Sequence, residues 1–130
     1  MKAELNSGSY QLSIKVKKDI TIRVGALGLC RFPQGTYVYT GSAMKNLRQR
    51  VERHLRNDKN KSTISPRWHI DYILSNENTE IISYTLYPSK YREECIRNAR
   101  LLNSKNTEAP VSGFGSSDCR KCKAHLIKIK

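Results

Sequence analysis

Thr36-Tyr37-Val38-Tyr39-Thr40-Gly41-Ser42 is the stretch whose reading decides the fold. Its first five residues are β-branched or aromatic, which suits a pleated strand, and Gly41-Ser42 ends it. Asn46 then stands where a helix cap is expected, ahead of Leu47, Val51 and Leu55, which repeat at i, i+4 and i+8. A strand therefore hands the chain to a helix whose apolar stripe faces a sheet. Upstream, Ser9-Tyr10-Gln11-Leu12-Ser13-Ile14-Lys15-Val16 alternates with the period of a half-buried strand. Lys17, Lys18 and Asp19 make a turn, and Ile20, Ile22 and Val24 continue the alternation, so the first two strands are expected to form a hairpin. Gly25, Gly28, Pro33 and Gly35 predict a loop. Downstream, Asn57 to Ser65 reads as a loop, and Ser65-Pro66 as the cap and first residue of a short helix through Trp68, Tyr72 and Ile73. Thr79 to Tyr87 reads as a strand, and Pro88-Ser89 as the start of a helix with Tyr91, Cys95, Ala99 and Leu102 on one face. Residues 103–120 read as a loop, and Ala124 to Lys130 as an edge strand guarded by lysines. The expected architecture is one α/β (α+β) domain over residues 1–130, with a small central, mostly antiparallel sheet flanked by about three helices.

Composition narrows the function classes. The chain has 24 Lys+Arg against 11 Asp+Glu, a formal net charge of +13, and this field attracts polyanions. Nucleic acid is the expected partner, while charge alone leaves open an anionic membrane, ribosomal RNA or a merely solubilising surface. No stretch approaches the ~18 apolar residues of a membrane span. Ser7, Gly8 and Ser9 interrupt the only short apolar run near the start, so neither a membrane nor a secretory route is expected and the expected compartment is the cytoplasm. In that setting Cys30, Cys95, Cys119 and Cys122 read as thiols or metal ligands.

On the helix after Gly41, Arg50 and His54 are four apart and fall at the margin of the Leu47/Val51/Leu55 stripe at about 100° per residue. A guanidinium there could fork onto a phosphate, and an imidazole one turn on could bond a phosphate oxygen or a reacting water. A solvated basic helix with Arg50 lying over the sheet accounts for the spacing as well. Glu94, at the corresponding margin of the last helix, could bind a hard divalent cation that keeps most of its waters, or could pair with one of the many lysines and arginines. Trp68, Tyr37 and Tyr84 could stack on bases or belong to the core.

Gly8-Ser9-Tyr10 on the first strand and Tyr39-Thr40-Gly41 on the third resemble the two tripeptides of the GIY-YIG nucleases, and Arg50, His54 and Glu94 follow in that family's order. More narrowly, Arg23-Val24-Gly25-Ala26-Leu27-Gly28, Trp68-His69-Ile70-Asp71-Tyr72, Glu94-Cys95 and Gly113-Phe114-Gly115 through Cys119, Cys122, His125 and Leu126 resemble one branch of it. That branch occurs as small archaeal proteins and fused to endonuclease III-like repair glycosylases. The stretch from Tyr10 to Tyr39 exceeds the family's usual short gap, which implies an extended β-hairpin carrying Lys17 and Asp19.

The resemblance implies an endonuclease that hydrolyses phosphodiester bonds, with DNA the expected substrate and a role in DNA repair. Tyr10 and Tyr39 would hold or deprotonate the attacking water, Arg50 would stabilise transition-state charge, His54 would orient the phosphate or share proton transfer, and Glu94 would anchor one Mg²⁺ or Mn²⁺. Gly41, Ser42, Lys45, Arg53 and His69 would face the nucleic acid. A repair glycosylase is an implied protein partner. The alternative is a catalytically silent nucleic-acid-binding or repair-accessory module. From spacing, Cys119, Cys122 and His125 could hold Zn²⁺, with Cys95 or Cys30 as a fourth ligand, or could be a turn bearing reduced thiols.

Overall fold

A computed structural model describes residues 5–61, 65–91, 93–102, 106–111, 113–114 and 124–129, with the side chains of Cys95 and Leu102 outside that description. Its strands are β1 (Gly8–Val16), β2 (Ile20–Arg23), β3 (Leu29–Phe32), β4 (Gly35–Ala43), β5 (Thr79–Pro88), β6 (Thr107–Glu108) and β7 (Leu126–Ile129). The helices are α1 (Leu47–Lys59), α2 (His69–Leu74) and α3 (Glu94–Leu102). Five strands form one sheet in the order β5-β1-β4-β7-β6, every pairing antiparallel, and β2 pairs with β3 in a separate ribbon. The fold is thus α+β with an antiparallel central sheet and three helices.

The expected β1–β2 hairpin does not form. β1 is the second strand of the sheet, flanked by β4 and β5, so both its edges are taken. β2 turns instead to Leu29–Phe32, part of the stretch read as loop, with Ile20 opposite Phe32 and Ile22 opposite Cys30. The extension between β1 and β4 is this ribbon. Its base is tied by Asp19, which accepts from the Gln34 amide at 2.7 Å and from Arg31 at 3.1 Å.

β7 is an interior strand between β4 and β6, because Leu126 and Ile127 are both buried and point to opposite faces. α2 starts at His69, later than Ser65-Pro66 suggested, because the buried Asp71 carboxylate reaches back to accept the Arg67 and Trp68 amides at 2.7 and 3.0 Å. α3 likewise starts at Glu94, since Pro88 still belongs to β5 and Tyr91 is 74% exposed.

Two neighbouring residues show which helix covers which face. The Tyr10 hydroxyl meets His54 of α1, whereas the next-door Ser9 hydroxyl meets Arg97 of α3. Strand alternation therefore puts α1 on one face of the sheet and α3 on the other. α1 is anchored at its start by Asn6, just ahead of β1. The Asn6 carbonyl accepts from Leu47 N at 3.1 Å and its Oδ1 from Arg48 N at 2.9 Å. Asn46 itself sits at φ 57 and makes no side-chain cap, so the cap comes from the segment that leads into Tyr10. Among the described residues, no helix is long and apolar enough to cross a membrane.

Candidate active site

Register sets the floor of the site. β1 and β4 pair so that Tyr10 lies opposite Gly41 and Leu12 opposite Tyr39. A Cβ on Gly41 would fall 2.5 Å from Tyr10 Cζ and Oη, so only glycine lets the phenol cross β4 this closely. The ring then continues to α1, where Tyr10 Oη and His54 Nε2 share a hydrogen bond of 2.8 Å. Tyr39 completes the group, its ring centroid 6.2 Å from that of Tyr10 and 6.3 Å from that of His54.

His54 is 0% exposed, not at the margin where its spacing placed it. Leu47, Val51 and His54 follow i, i+4, i+7, and this series puts His54 inside the buried arc while Leu55 moves to its rim. Burial lowers the His54 pKa to about 4, helped by the charges of Arg53 and Arg50 and opposed by Asp71. Its Nδ1 is buried without a hydrogen-bond partner among the described residues. Tyr10, 2% exposed, is raised well above the ordinary tyrosine value by burial and then by Tyr39, with Arg50 pulling the other way. Tyr39 is raised to about 12 by burial and then by Asp71, with Arg50 again opposing.

Arg50 roofs the group. It donates to the Ser42 carbonyl at 2.7 Å and lies over Trp68, 4.8 Å from Cζ to the ring centroid. Arg53 and Arg67 approach the same indole at 4.7 and 5.5 Å, and Trp68 packs on His54 at 6.0 Å. Arg53 closes its fork on Asp71 at 2.9 and 3.1 Å. Burial pushes the Asp71 carboxyl up, but the bonds from Arg53, Trp68 and Arg67 outweigh it, and the net shift is downward. Asp71 and Trp68 are the members that spacing did not assign. Their signal was Asp71 three residues after Trp68, a capping spacing inside a run already quoted for its resemblance.

Glu94, in the first turn of α3, lies within electrostatic range of Tyr39 and His125, and its Oε2 is buried with no hydrogen-bond partner among the described residues. One orphaned carboxylate oxygen fits a single hard cation that keeps most of its waters. Among the described residues no cluster of three His, Cys, Asp or Glu side chains is close enough to hold a metal.

The structure thus brings Tyr10, Tyr39, Arg50 and His54 into one group with Glu94 nearby. Of the residues expected at nucleic acid, Gly41 is buried beneath Tyr10, Ser42 is partly exposed and Lys45 is exposed. Arg53 is turned to Asp71, and the His69 ring packs on Phe114 at 5.4 Å. Cys119 and Cys122 lie outside the described residues. His125 is buried between Phe114 and β4 through its backbone, and burial lowers its pKa. Cys30 is a buried free thiol.

Fold and site together define a small α+β protein whose sheet carries a buried tyrosine–histidine pair on the face covered by α1. The chain belongs to the family described as domain of unknown function DUF123, whose model matches residues 9–130. No curated protein and no solved structure matches the chain.

Proposed function

We propose that the chain is a GIY-YIG-type endonuclease that hydrolyses phosphodiester bonds of nucleic acid, DNA above all, with one Mg²⁺ or Mn²⁺. The observation that carries this reading is the 2.8 Å bond between Tyr10 and His54 beneath Arg50. It links a phenol facing Tyr39 to a neutral imidazole, so a proton taken from water at Tyr10 Oη has somewhere to go. As water oxygen bonds to phosphorus and the bond to the leaving oxygen breaks, Tyr10 accepts the water proton and passes its own to His54 Nε2.

Magnitudes decide how that happens. A free tyrosine titrates near 10 and His54 near 4, so moving the proton outright costs more than about 8 kcal/mol. The transfer must therefore run in concert with attack, with Arg50 offsetting the negative charge as it forms on the phenol and on the phosphorane. Glu94 would hold the divalent cation through its orphaned oxygen, and the cation would supply further positive charge to offset the charge of the phosphate. The +13 surface holds the substrate.

A second reading has its own support. Tyr10 and His54 are nearly inaccessible and held neutral, as they would be in a silent nucleic-acid-binding module that merely packs them. A panel of labelled single-stranded, duplex, flap and branched DNAs, incubated in Mg²⁺ or Mn²⁺, separates the two. The nuclease cuts at least one substrate, and Arg50→Ala and Glu94→Gln each lower the rate by about 100-fold or more with little change in DNA affinity for Glu94→Gln. Binding without cleavage in either metal favours the silent module.

A further inference from the structure

Trp68, the chain's single tryptophan, is half-buried just ahead of α2 and gathers three guanidiniums. Arg50 and Arg53 of α1 lie over its ring with Cζ 4.8 and 4.7 Å from the centroid, and Arg67 with Cζ at 5.5 Å. Three like charges around one ring repel one another. Among the described residues, Asp71 is the only carboxylate bonded to any of these side chains, and it takes both prongs of Arg53. Arg67 gives Asp71 only its backbone amide. Its exposed side chain is held among the described residues by the indole alone. The cluster is left with two guanidiniums, those of Arg50 and Arg67, that no carboxylate offsets.

These two cations sit close to each other. Both Cζ atoms lie near one centroid, so they are at most about 10 Å apart. Phosphates follow one another along a strand with a rise of about 3.4 Å. Both guanidiniums can therefore meet phosphates of one strand only a few nucleotides apart, whereas a lone carboxylate offsets one of them. Arg50 is already assigned to the scissile phosphate, and Arg67 has no role in that chemistry.

We propose that Arg67, steadied by Trp68, binds a phosphate of the substrate strand near the one at Arg50, and so reads the backbone and not the bases. The assignment rests on the nucleic-acid reading above. Trp68 is then a positioning residue, because a ring overlaid by guanidiniums offers a ligand cations in place of a bare face for a base.

The test uses the full chain in EDTA, so that nothing is cut. Its binding to labelled oligothymidine, oligodeoxyadenylate and a mixed-sequence duplex is followed over a range of salt by anisotropy and by the emission of Trp68. DNA should change that emission. Arg67→Gln should weaken binding about fivefold and flatten the slope of log affinity against log salt by about 0.7–0.9, equally for every sequence. Arg67→Lys should keep the slope. Lys15→Gln, exposed on the other face of the sheet, should change it little. An unchanged slope in Arg67→Gln, or an equal change in Lys15→Gln, overturns the proposal and leaves the nucleic-acid reading standing. So does a loss confined to one base composition, or binding that leaves Trp68 emission unaltered. A wild type that binds none of the DNAs overturns both. Arg67 is exposed, so its variants leave the core intact.

Discussion

Tyr10 and Gln11 are neighbours in β1, yet they serve two different environments. On the α1 face, Tyr10, Tyr39 and His54 meet in a space closed by Trp68 and the arginines above it, and burial dominates the titration of all three. On the α3 face, Gln11 bonds to Thr40 and Tyr87 and, with Arg97, lines an open pocket, while Arg97 bonds to the buried Ser9. One strand supplies both because its side chains alternate sides. A closed face makes its groups reactive or silent by removing water, whereas an open face leaves its polar groups in contact with water.

Asp71→Ala should break the closed face most. The carboxylate is 0% exposed in its side chain, holds Arg53 by two bonds and caps α2. Removing one partner of a buried pair costs about 3–5 kcal/mol. Arg53 keeps 19% exposure and can turn partly to water, which moderates the loss, while the lost cap adds to it. The expected loss is about 4 kcal/mol in urea unfolding. A loss below about 1 kcal/mol would show that Trp68 and the arginines hold this side without Asp71.

The closed face should also announce itself in the pH dependence of stability. His54 titrates near 4 folded and near 6.5 unfolded. Below 6.5 the unfolded chain takes up the proton first, so the stability associated with neutral His54 is full above about pH 6.5. It is lost between 6.5 and 4, and the loss levels off below 4. The full loss is about 3 kcal/mol. His54→Gln should remove most of the slope between pH 7 and pH 5. Some slope remains, since burial also lowers His69 and His125. An unchanged slope would mean that His54 is solvated.

What was legible in the sequence follows the same physical divide. β1, β4 and α1 carry strong periodicity, so their place in the fold could be anticipated, while the gathering of Tyr10, Tyr39 and Arg50 followed only from the resemblance of the two tripeptides. Pairing partners could not be anticipated. Ile20 to Val24 alternates whichever strand it joins, and Leu29–Phe32 was hidden because Gly28 and Pro33 bracket only four residues. Leu126 and Ile127 are adjacent apolar residues whose double burial depends on β4 and β6 arriving from distant parts of the chain. His54 was misplaced by one row because a histidine is not counted as apolar when a helix stripe is drawn. Of Asp71 only the capping spacing after Trp68 was readable, and its fork to Arg53, like the contacts of Arg97, is tertiary and encoded in no local period.

The finest test compares adjacent residues of β4 that face opposite sides. Gly41→Ala inserts a methyl 2.5 Å from the Tyr10 ring, which is buried and bonded to His54 and so cannot swing away freely. Overpacking of this kind costs about 2 kcal/mol, and it should also displace Tyr10 from His54, visible as a change in the His54 ring resonances. Thr40→Val, one residue away, keeps the shape of the side chain and removes only the acceptor for Gln11 Nε2. Gln11 can turn that amide to water in the open pocket, so the expected loss is below about 1 kcal/mol and His54 should be unmoved. If Thr40→Val cost as much as Gly41→Ala, the α3 face would be as dry as the α1 face.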